Sequence, residues 1–205
     1  MARYLGPRIK ICRSLGVILP GLTVDPTLKR QNPPGQHGER RKGKSSDYKV
    51  RLIEKQKLRY HFGLLEAQFR RYVVKASNSR GPAGTNLIVA LESRLDNIVW
   101  RLGLAATIPA ARQMVVHGHI QINGHRVDRP SCAVRPGDEI SVGLKSRSKP
   151  FIQAALEQSI QRSRPAFLEF DPAKATGKML VSPNKEDVPF EVNTQAVIEY
   201  YSQKL

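Results

Sequence analysis

LESRLDNIVWRLGLAATIPAARQMVVHGHIQINGHRVDRPSCAVRPGDEISV, residues 91–142, is the stretch whose reading decides the fold. Leu91, Leu95, Ile98, Val99 and Leu102 recur at i, i+4, i+7, i+8 and i+11, one apolar face of a helix. Gly103 follows where a helix C-cap favours glycine. Thr107 is placed to cap a second helix with Pro109 in its first turn. Ala111, Met114 and Val115 form its inward stripe, with Val116 at the edge, and Gly118 stops it. Asn123 and Gly124 then specify a two-residue hairpin turn with positive φ. That turn pairs Ile122 with His125, Gln121 with Arg126 and Ile120 with Val127. Ile120, Ile122 and Val127 share one face of the hairpin, and Gln121 and Arg126 share the other. Pro136 and Gly137 suit the centre of a type II turn. Ile140 and Val142 alternate along a further strand. Two helices on a small sheet make a unit of about fifty residues, near the lower size limit for folding alone.

Here a resemblance becomes specific. The runs SRLDN at 93–97, RLG at 101–103, ARQ at 111–113, HGHI at 117–120, NG at 123–124, VD at 127–128 and PGD at 136–138 resemble the S-four RNA-binding domain. Its helix–helix–hairpin arrangement is of the alpha-L type. Many RNA-modifying enzymes carry this domain, so alone it implies RNA binding and not a particular task. The flanks must separate the possibilities.

The 205 residues hold 34 Lys and Arg against 17 Asp and Glu, a formal net charge of +17, which points to a polyanionic partner. The excess is uneven: residues 1–80 carry 19 basic and five acidic side chains, and residues 81–205 carry 15 and 12. Most of the phosphate-seeking charge therefore lies outside the small module. Two cysteines, Cys12 and Cys132, provide neither a disulfide framework nor a four-cysteine zinc site. The N-terminus lacks the apolar run of a secretory signal, and no apolar segment approaches the ~18 residues of a membrane helix. The chain reads as soluble and intracellular, with no membrane partner.

Residues 1–46 lack periodicity and are rich in Gly, Pro and basic residues. They form either a disordered basic tail or an extension ordered against RNA. The segment LPGL at 19–22 reads as a turn. A helix is expected over 47–62, capped by Ser46 or Asp47, with Val50, Ile53, Lys57 and Tyr60 on one face and Leu58 beside it. Lys49, Arg51, Lys55 and Arg59 decorate the rest, with almost no acidic residue on the same helix, which favours an RNA-facing surface over a merely solvated one. Gly63 breaks the chain. A helix over 64–76 carries Leu65, Phe69, Tyr72 and Val73 on one side. A third helix starts near residue 86 and runs on into the module. After residue 142 come a polar basic link, a short helix or irregular segment over 151–160, an extended piece at 167–170, a turn at Asp171 and Pro172, and a possible strand at Leu180 and Val181. A terminal helix over 191–201 places Ala196, Val197 and Tyr200 inward.

The flanks extend the resemblance over almost the whole chain. ARY and GP near the start, PGQHG at 34–38 and EKQKLR at 54–59 are similar to the ribosomal protein S-four family. The implied architecture is α+β: a basic extended segment 1–46, a discontinuous helical domain 47–92 with 165–205, and the RNA-binding domain 93–164. The implied role is a primary ribosomal-RNA-binding protein of the 30S subunit, which nucleates assembly at a multi-helix junction of 16S-type RNA and contributes to accuracy. It also lines the messenger RNA entry channel beside ribosomal proteins S-five and S-three. By this resemblance Arg3, Arg8, Arg13, Lys49, Arg51, Lys55, Lys57, Arg59, Arg70, Arg71, Arg112, Gln113, His117, His119 and Arg126 face ribosomal RNA. Arg40, Arg41, Lys42 and Lys44 face the messenger. The location implied is the cytoplasmic ribosome, or the plastid stroma if the source is a plastid. The second module helix opens ATIPA at 106–110 where many bacterial members have clustered arginines, leaving only Arg112. With LPGLT at 19–23, this resembles cyanobacterial and plastid members.

Three other readings compete with this one. The triplet Arg94, Leu95, Asp96 resembles the setting of the catalytic aspartate in pseudouridine synthases. Here it lies in a helical stripe without the small hydroxyl and glycine residues that follow in those enzymes, so a structural ion pair is the stronger reading. His117 and His119 could ligate a metal, but His37, His61 and His125 have no helpful spacing, and a site needs three or four ligands. A free-standing module acting on stalled large subunits is the third. No enzyme activity, cofactor or metal is expected.

Overall fold

The structure, a computed structural model, describes residues 4–23, 32–36, 38, 45–160 and 163–202. In chain order these hold α1 (Arg8–Leu15), α2 (Asp47–His61), α3 (Glu66–Asn78), α4 (Ala83–Glu92), α5 (Leu95–Arg101), α6 (Ile108–Val116), β1 (Ile120–Ile122), β2 (His125–Arg126), β3 (Glu139–Val142), α7 (Leu144–Arg147), α8 (Pro150–Ile160), β4 (Leu168–Asp171), β5 (Thr176–Met179), a 3-10 turn at Lys185–Asp187 and α9 (Thr194–Ser202). The fold is α+β, as the sequence implied. Its two compact units are Met1–Ile88 with Val188–Leu205, and Val89–Asp187.

In the first unit, the Ser46 hydroxyl accepts the Lys49 N–H and starts α2. The buried positions of α2 are Lys55, Leu58 and His61, continued by Phe62. This corrects the expected face: Val50 is 46% exposed. Lys55 explains the displacement. Its stem is buried like an apolar residue, so the true stripe passes through a position that sequence reading assigns to the surface. Leu58, Phe62, Phe69, Val73 and Ala76 join Val197, Tyr200 and Tyr201 in the buried set, with α9 packed on α2 and α3. The terminal helix thus turns inward the residues expected of it. The N-terminal segment is not extended throughout. α1 buries Ile11 and Cys12, and Cys12 clusters with Leu19 and Leu22 against Tyr60 and Phe190. Four apolar residues cannot hold a core alone, but they complete one supplied by distant parts of the chain.

A polar cluster lies beside that core. Lys55 Nζ donates to Glu66 Oε2 at 2.8 Å and sits 5.0 Å from the centre of the Tyr200 ring. The Tyr201 hydroxyl donates to Glu66 Oε1 at 2.6 Å, and Arg59 approaches the same carboxylate at 3.5 Å. Partial burial pushes the Glu66 carboxyl up. The hydrogen bonds from Lys55 and Tyr201 and the charges of Lys55 and Arg59 outweigh it and hold the group below its ordinary 4.5. Burial and the bond to Glu66 push the Tyr201 phenol well above its ordinary value.

In the second unit the expected continuous helix is broken. α4 ends at Glu92, Arg94 adopts extended geometry, and α5 begins at Leu95. The cause is a backbone exchange with residues 130–134. Val134 N–H donates to Ser93 C=O at 2.8 Å, Leu95 N–H to Cys132 C=O at 2.9 Å and Asp96 N–H to Pro130 C=O at 3.1 Å. The first donors of α5 therefore find partners outside their own helix. Leu91, Leu95, Ile98, Val99 and Leu102 are all fully buried even so. α6 keeps its Thr107 cap, with the hydroxyl accepting the Ala110 N–H, and buries Ile108, Ala111, Met114 and Val115. Val116 is exposed.

The hairpin register is the expected one. Gln121 pairs with Arg126, Ile122 with His125, and Val127 N–H donates to Ile120 C=O at 3.2 Å. Asn123 and Gly124 both have positive φ, 49° and 78°. Asn123 also does something the turn rule does not require. Its side-chain N–H donates to Asp138 at 2.8 Å, and its oxygen accepts the Glu139 N–H at 2.9 Å, tying the hairpin tip to the Pro136 and Gly137 turn.

The sheet is larger than expected. Its order is β2-β1-β3-β5-β4, antiparallel throughout. Thr176, Gly177 and Lys178 pair with β3, so residues 165–187 lie in the second compact unit, whereas a boundary near 164 was expected. β5 ends at Met179, so Leu180 and Val181, read as a strand, lie beyond it and are exposed. Gly177 suits this packing: a Cβ there would come within 2.6 Å of Leu102 Cδ2, so the fully buried Leu102 side chain would have to shift.

Two outcomes follow from this packing. Asn123→Val combined with Gly124→Val forces β-branched residues into positive φ and removes the Asn123 ties. The cost is about 2–4 kcal/mol, read as a lower midpoint in thermal unfolding of the full chain. Because the folded-state pKa of Glu66 is depressed, its contribution is present above 4.5 and is lost as pH falls through the lower folded value. The difference in thermal midpoint between the natural chain and Glu66→Gln should therefore be largest at neutral pH and shrink on acidification.

Candidate nucleic-acid interface

The cations of α2 divide sharply once their neighbours are known. Lys49 is exposed and forms no ion pair among the described residues. Arg51 Nε donates to Glu199 of α9 at 3.0 Å. Lys57 pairs with Glu54 at 2.6 Å, both largely buried. Arg59 lies over the Tyr60 ring at 4.3 Å and approaches Glu66. Lys55, expected to face RNA, is only 3% exposed and is held by Glu66, so it is removed from the candidate surface. The scarcity of acids along α2 misled: Glu66 and Glu199 arrive from α3 and α9.

On α3 the expected cations stay at the surface. Arg70 and Arg71 are exposed and line a shallow groove together with Lys75 and Val74. Arg71 Nε donates only to the Ala67 carbonyl, and none of the three cations forms an ion pair among the described residues. Spacing of one turn between Arg71 and Lys75 puts them on one helical face, a signal present in the sequence but not used for Lys75. In the N-terminal segment Arg8 donates to the Leu22 carbonyl at 3.3 Å and Arg13 to the Asn32 carbonyl at 2.9 Å, so both also brace the local backbone. Arg3, Arg40, Arg41, Lys42 and Lys44 lie outside the described residues.

The second unit gathers its own set. Gln113 and His117 are one turn apart on the outer face of α6 and its cap, both exposed. The His117 and His119 rings are 6.0 Å apart at 73°. The Arg126 guanidinium folds from β2 over Gly118, occupying the space where a side chain would stand. His119 Nδ1 is 3.0 Å from the Ser146 hydroxyl. Burial, followed by the positive charges of Lys149, His117 and Arg126, pushes the His119 pKa down from 6.5, keeping the imidazole neutral at neutral pH. Lys149 is the member that sequence reading missed, because it is distant in the chain. Arg112 is only partly available: Nη1 lies 3.4 Å from Asp96, which Arg94 already holds at 2.6 Å.

That buried Arg94–Asp96 pair fits the structural reading of the triplet. Asp96 is fully buried, with its carboxylate held between Arg94 and Arg112. Glu92 is similar. Burial pushes its carboxyl up, while Arg101 and Asn97 donate to it at 2.9 and 2.7 Å. No grouping of His, Cys, Asp and Glu among the described residues could hold a metal ion, and none of their helices is long and apolar enough to cross a membrane. The described surface thus offers cations, amides and imidazoles on two units, a donor set suited to phosphates, hydroxyls and base edges.

The sequence is similar to those of known proteins over its full length. The family described as "Ribosomal protein S4/S9 N-terminal domain" matches residues 3–92, and the one described as "S4 domain" matches residues 93–140. Small ribosomal subunit protein uS4 of Rippkaea orientalis is 48% identical over 204 residues, covering 100% of both chains. The uS4 protein of Thermosynechococcus vestitus is 49% identical over 205 residues, again covering 100% of both. That of Brevibacillus brevis is 47% identical over 203 residues, 99% of this chain and 100% of its own. With nearly half of all positions shared over the full length, and with both matched segments in order, this chain belongs to the small ribosomal subunit protein uS4 family.

Proposed function

We propose that this protein is a constituent of the small ribosomal subunit that binds its ribosomal RNA directly and early. It nucleates assembly at a multi-helix junction in the 5′ region of the 16S-type RNA. The observation that carries this reading is the full-length likeness to uS4 proteins joined to exposed cations on both compact units. A-form RNA hides its major groove, so a protein gripping a folded junction works through phosphates, 2′-hydroxyls and shape. Separate cationic surfaces on two units suit that task better than one linear motif. Lys49, Arg70, Arg71 and Lys75 form the phosphate contacts of the first unit. Gln113, His117, His119 and Arg126 form the RNA contacts of the second. Lys57 and Arg59 hold their neighbours in place.

In the same reading the basic run Arg40, Arg41, Lys42 and Lys44 faces the messenger RNA at the entry channel, beside ribosomal proteins S-five and S-three, and the protein contributes to translational accuracy. The chemistry requires no cofactor and no turnover of substrate. The location is the ribosome in the cytoplasm, or in the plastid stroma for a plastid source.

Two measurements test this. Changing Arg70, Arg71 and Lys75 together to Ala should weaken binding to a 5′-region transcript of small-subunit RNA. It should also lower the log–log salt slope by up to about three, one for each phosphate no longer neutralised. An unchanged slope would show that α3 does not touch phosphate, and failure of the natural chain to bind the transcript would overturn the reading itself. Changing Arg40, Arg41, Lys42 and Lys44 to Ala should leave transcript binding nearly intact and slow elongation through hairpin-containing messages more than through unstructured ones. Equal weakening of junction binding in this variant and the α3 variant would remove the division of labour.

A further inference from the structure

Within the second unit a cleft of about 580 Å³ opens between α6 and α8. That volume lies within the range of sites that take small organic ligands, about 300–1,000 Å³. Its two sides are lined with small residues, Ala110 from α6 and Ala154 and Ala155 from α8, and Leu104, Ala105 and Met114 are the buried part of the lining. Alanines on both sides keep side-chain bulk out of the cleft. At the mouth stand Phe151 and His119, their ring centres 5.6 Å apart and inclined at 59°. Phe151 is 49% exposed, so one face of its ring is open to a partner. The polar groups at the rim are Gln113, His117, Lys149 and Gln158, and no carboxylate contributes to the lining.

We propose that this slot receives one unstacked base of the RNA. The inference rests on the RNA-binding reading above and identifies a chemical feature within it: a nucleotide held out of its helix. Sequence-reading RNA proteins stack splayed bases on aromatic rings and read the base edges by hydrogen bonds. Phe151 supplies the ring face, and His119, inclined at 59° to it, closes the mouth beside it. A neutral His119 packs against a base without the desolvation cost of a cation, in keeping with the depressed pKa of this imidazole. The Gln113 and Gln158 amides each offer a donor and an acceptor, as a base edge requires. Lys149 and His117 stand where the backbone of the same nucleotide leaves the slot. A rim of Lys149, one imidazole and two amides, with no carboxylate, complements an anionic sugar–phosphate chain, and the alanine-lined cleft with its aromatic mouth selects a base.

The test uses the full chain and a 5′-region transcript of small-subunit RNA. Phe151→Ala removes a stacking face, and Ala155→Leu fills the slot while leaving every charge in place. Each should weaken binding by about 5- to 150-fold, the range set by one base–aromatic stack. Neither should change the salt slope, since every phosphate contact is kept. Lys149→Ala should lower that slope by about one. Thermal midpoints report whether the fold is kept. The transcript carrying 4-thiouridine should crosslink on irradiation to the peptide containing Phe151 in the natural chain, and not in Ala155→Leu. If both neutral variants keep their fold and bind as tightly as the natural chain, the slot holds no base, while the RNA-binding reading stands on the natural chain's own affinity. If a neutral variant binds more weakly with a reduced salt slope, the cleft acts through phosphate and the base assignment is wrong. If the natural chain does not bind the transcript, both readings fail.

Discussion

The exchange between residues 93–96 and 130–134 is the constraint on which the second unit depends. Three backbone hydrogen bonds hold Arg94 in extended geometry between α4 and α5. The same bonds fix the segment that leads from the hairpin to β3. Arg94 and Asp96 then close a buried ion pair over the junction at 2.6 Å. Removing one partner of such a pair costs about 3–5 kcal/mol, because the other charge is left buried and alone. A buried pair is poor evidence of net stability in itself. Its value here is positional: Asp96 also meets Arg112, so the break and α6 share one carboxylate, while the Asp96 N–H holds the hairpin return through Pro130 C=O.

From that junction the candidate surface follows in steps. α6 is set by its packing on α5 and by the Thr107 cap. Its last turn delivers His117, and the positive φ of Gly118 turns the chain into β1. Arg126 can lie over that glycine because no Cβ stands there. The sheet then carries β3 into α7 and α8, and α8 brings Phe151 to His119. The polar groups of this surface are thus placed by backbone geometry several residues away, with few side-chain ties of their own.

The first unit shows the opposite arrangement. There most of the cations of α2 are held by carboxylates from α3 and α9 or by aromatic rings. Lys55 is the extreme case, a lysine acting as a core residue with its head satisfied by Glu66. The excess of positive charge in residues 1–80 is therefore only partly available to a polyanion, and α3 carries more of the accessible charge than its sequence suggests.

Much of this protein was determined by sequence alone, wherever local rules act within a few residues. The Thr107 cap, the glycine stops, the hairpin register at Asn123 and Gly124, and the buried set from Leu91 to Leu102 were all legible, because turn chemistry and periodicity fix them without distant partners. The family signature was legible for the same reason, as short runs at fixed spacing. Tertiary structure alone decided four things. It broke the long helix at Arg94, since the competing acceptors lie some forty residues away. It drew β4 and β5 into the sheet, since strand pairing is non-local. It folded residues 8–22 against Tyr60 and Phe190. And it turned Lys55 inward while leaving Arg70, Arg71 and Lys75 outside. A cation's availability depends on which carboxylates the fold brings to it, and no reading along one helix can supply them.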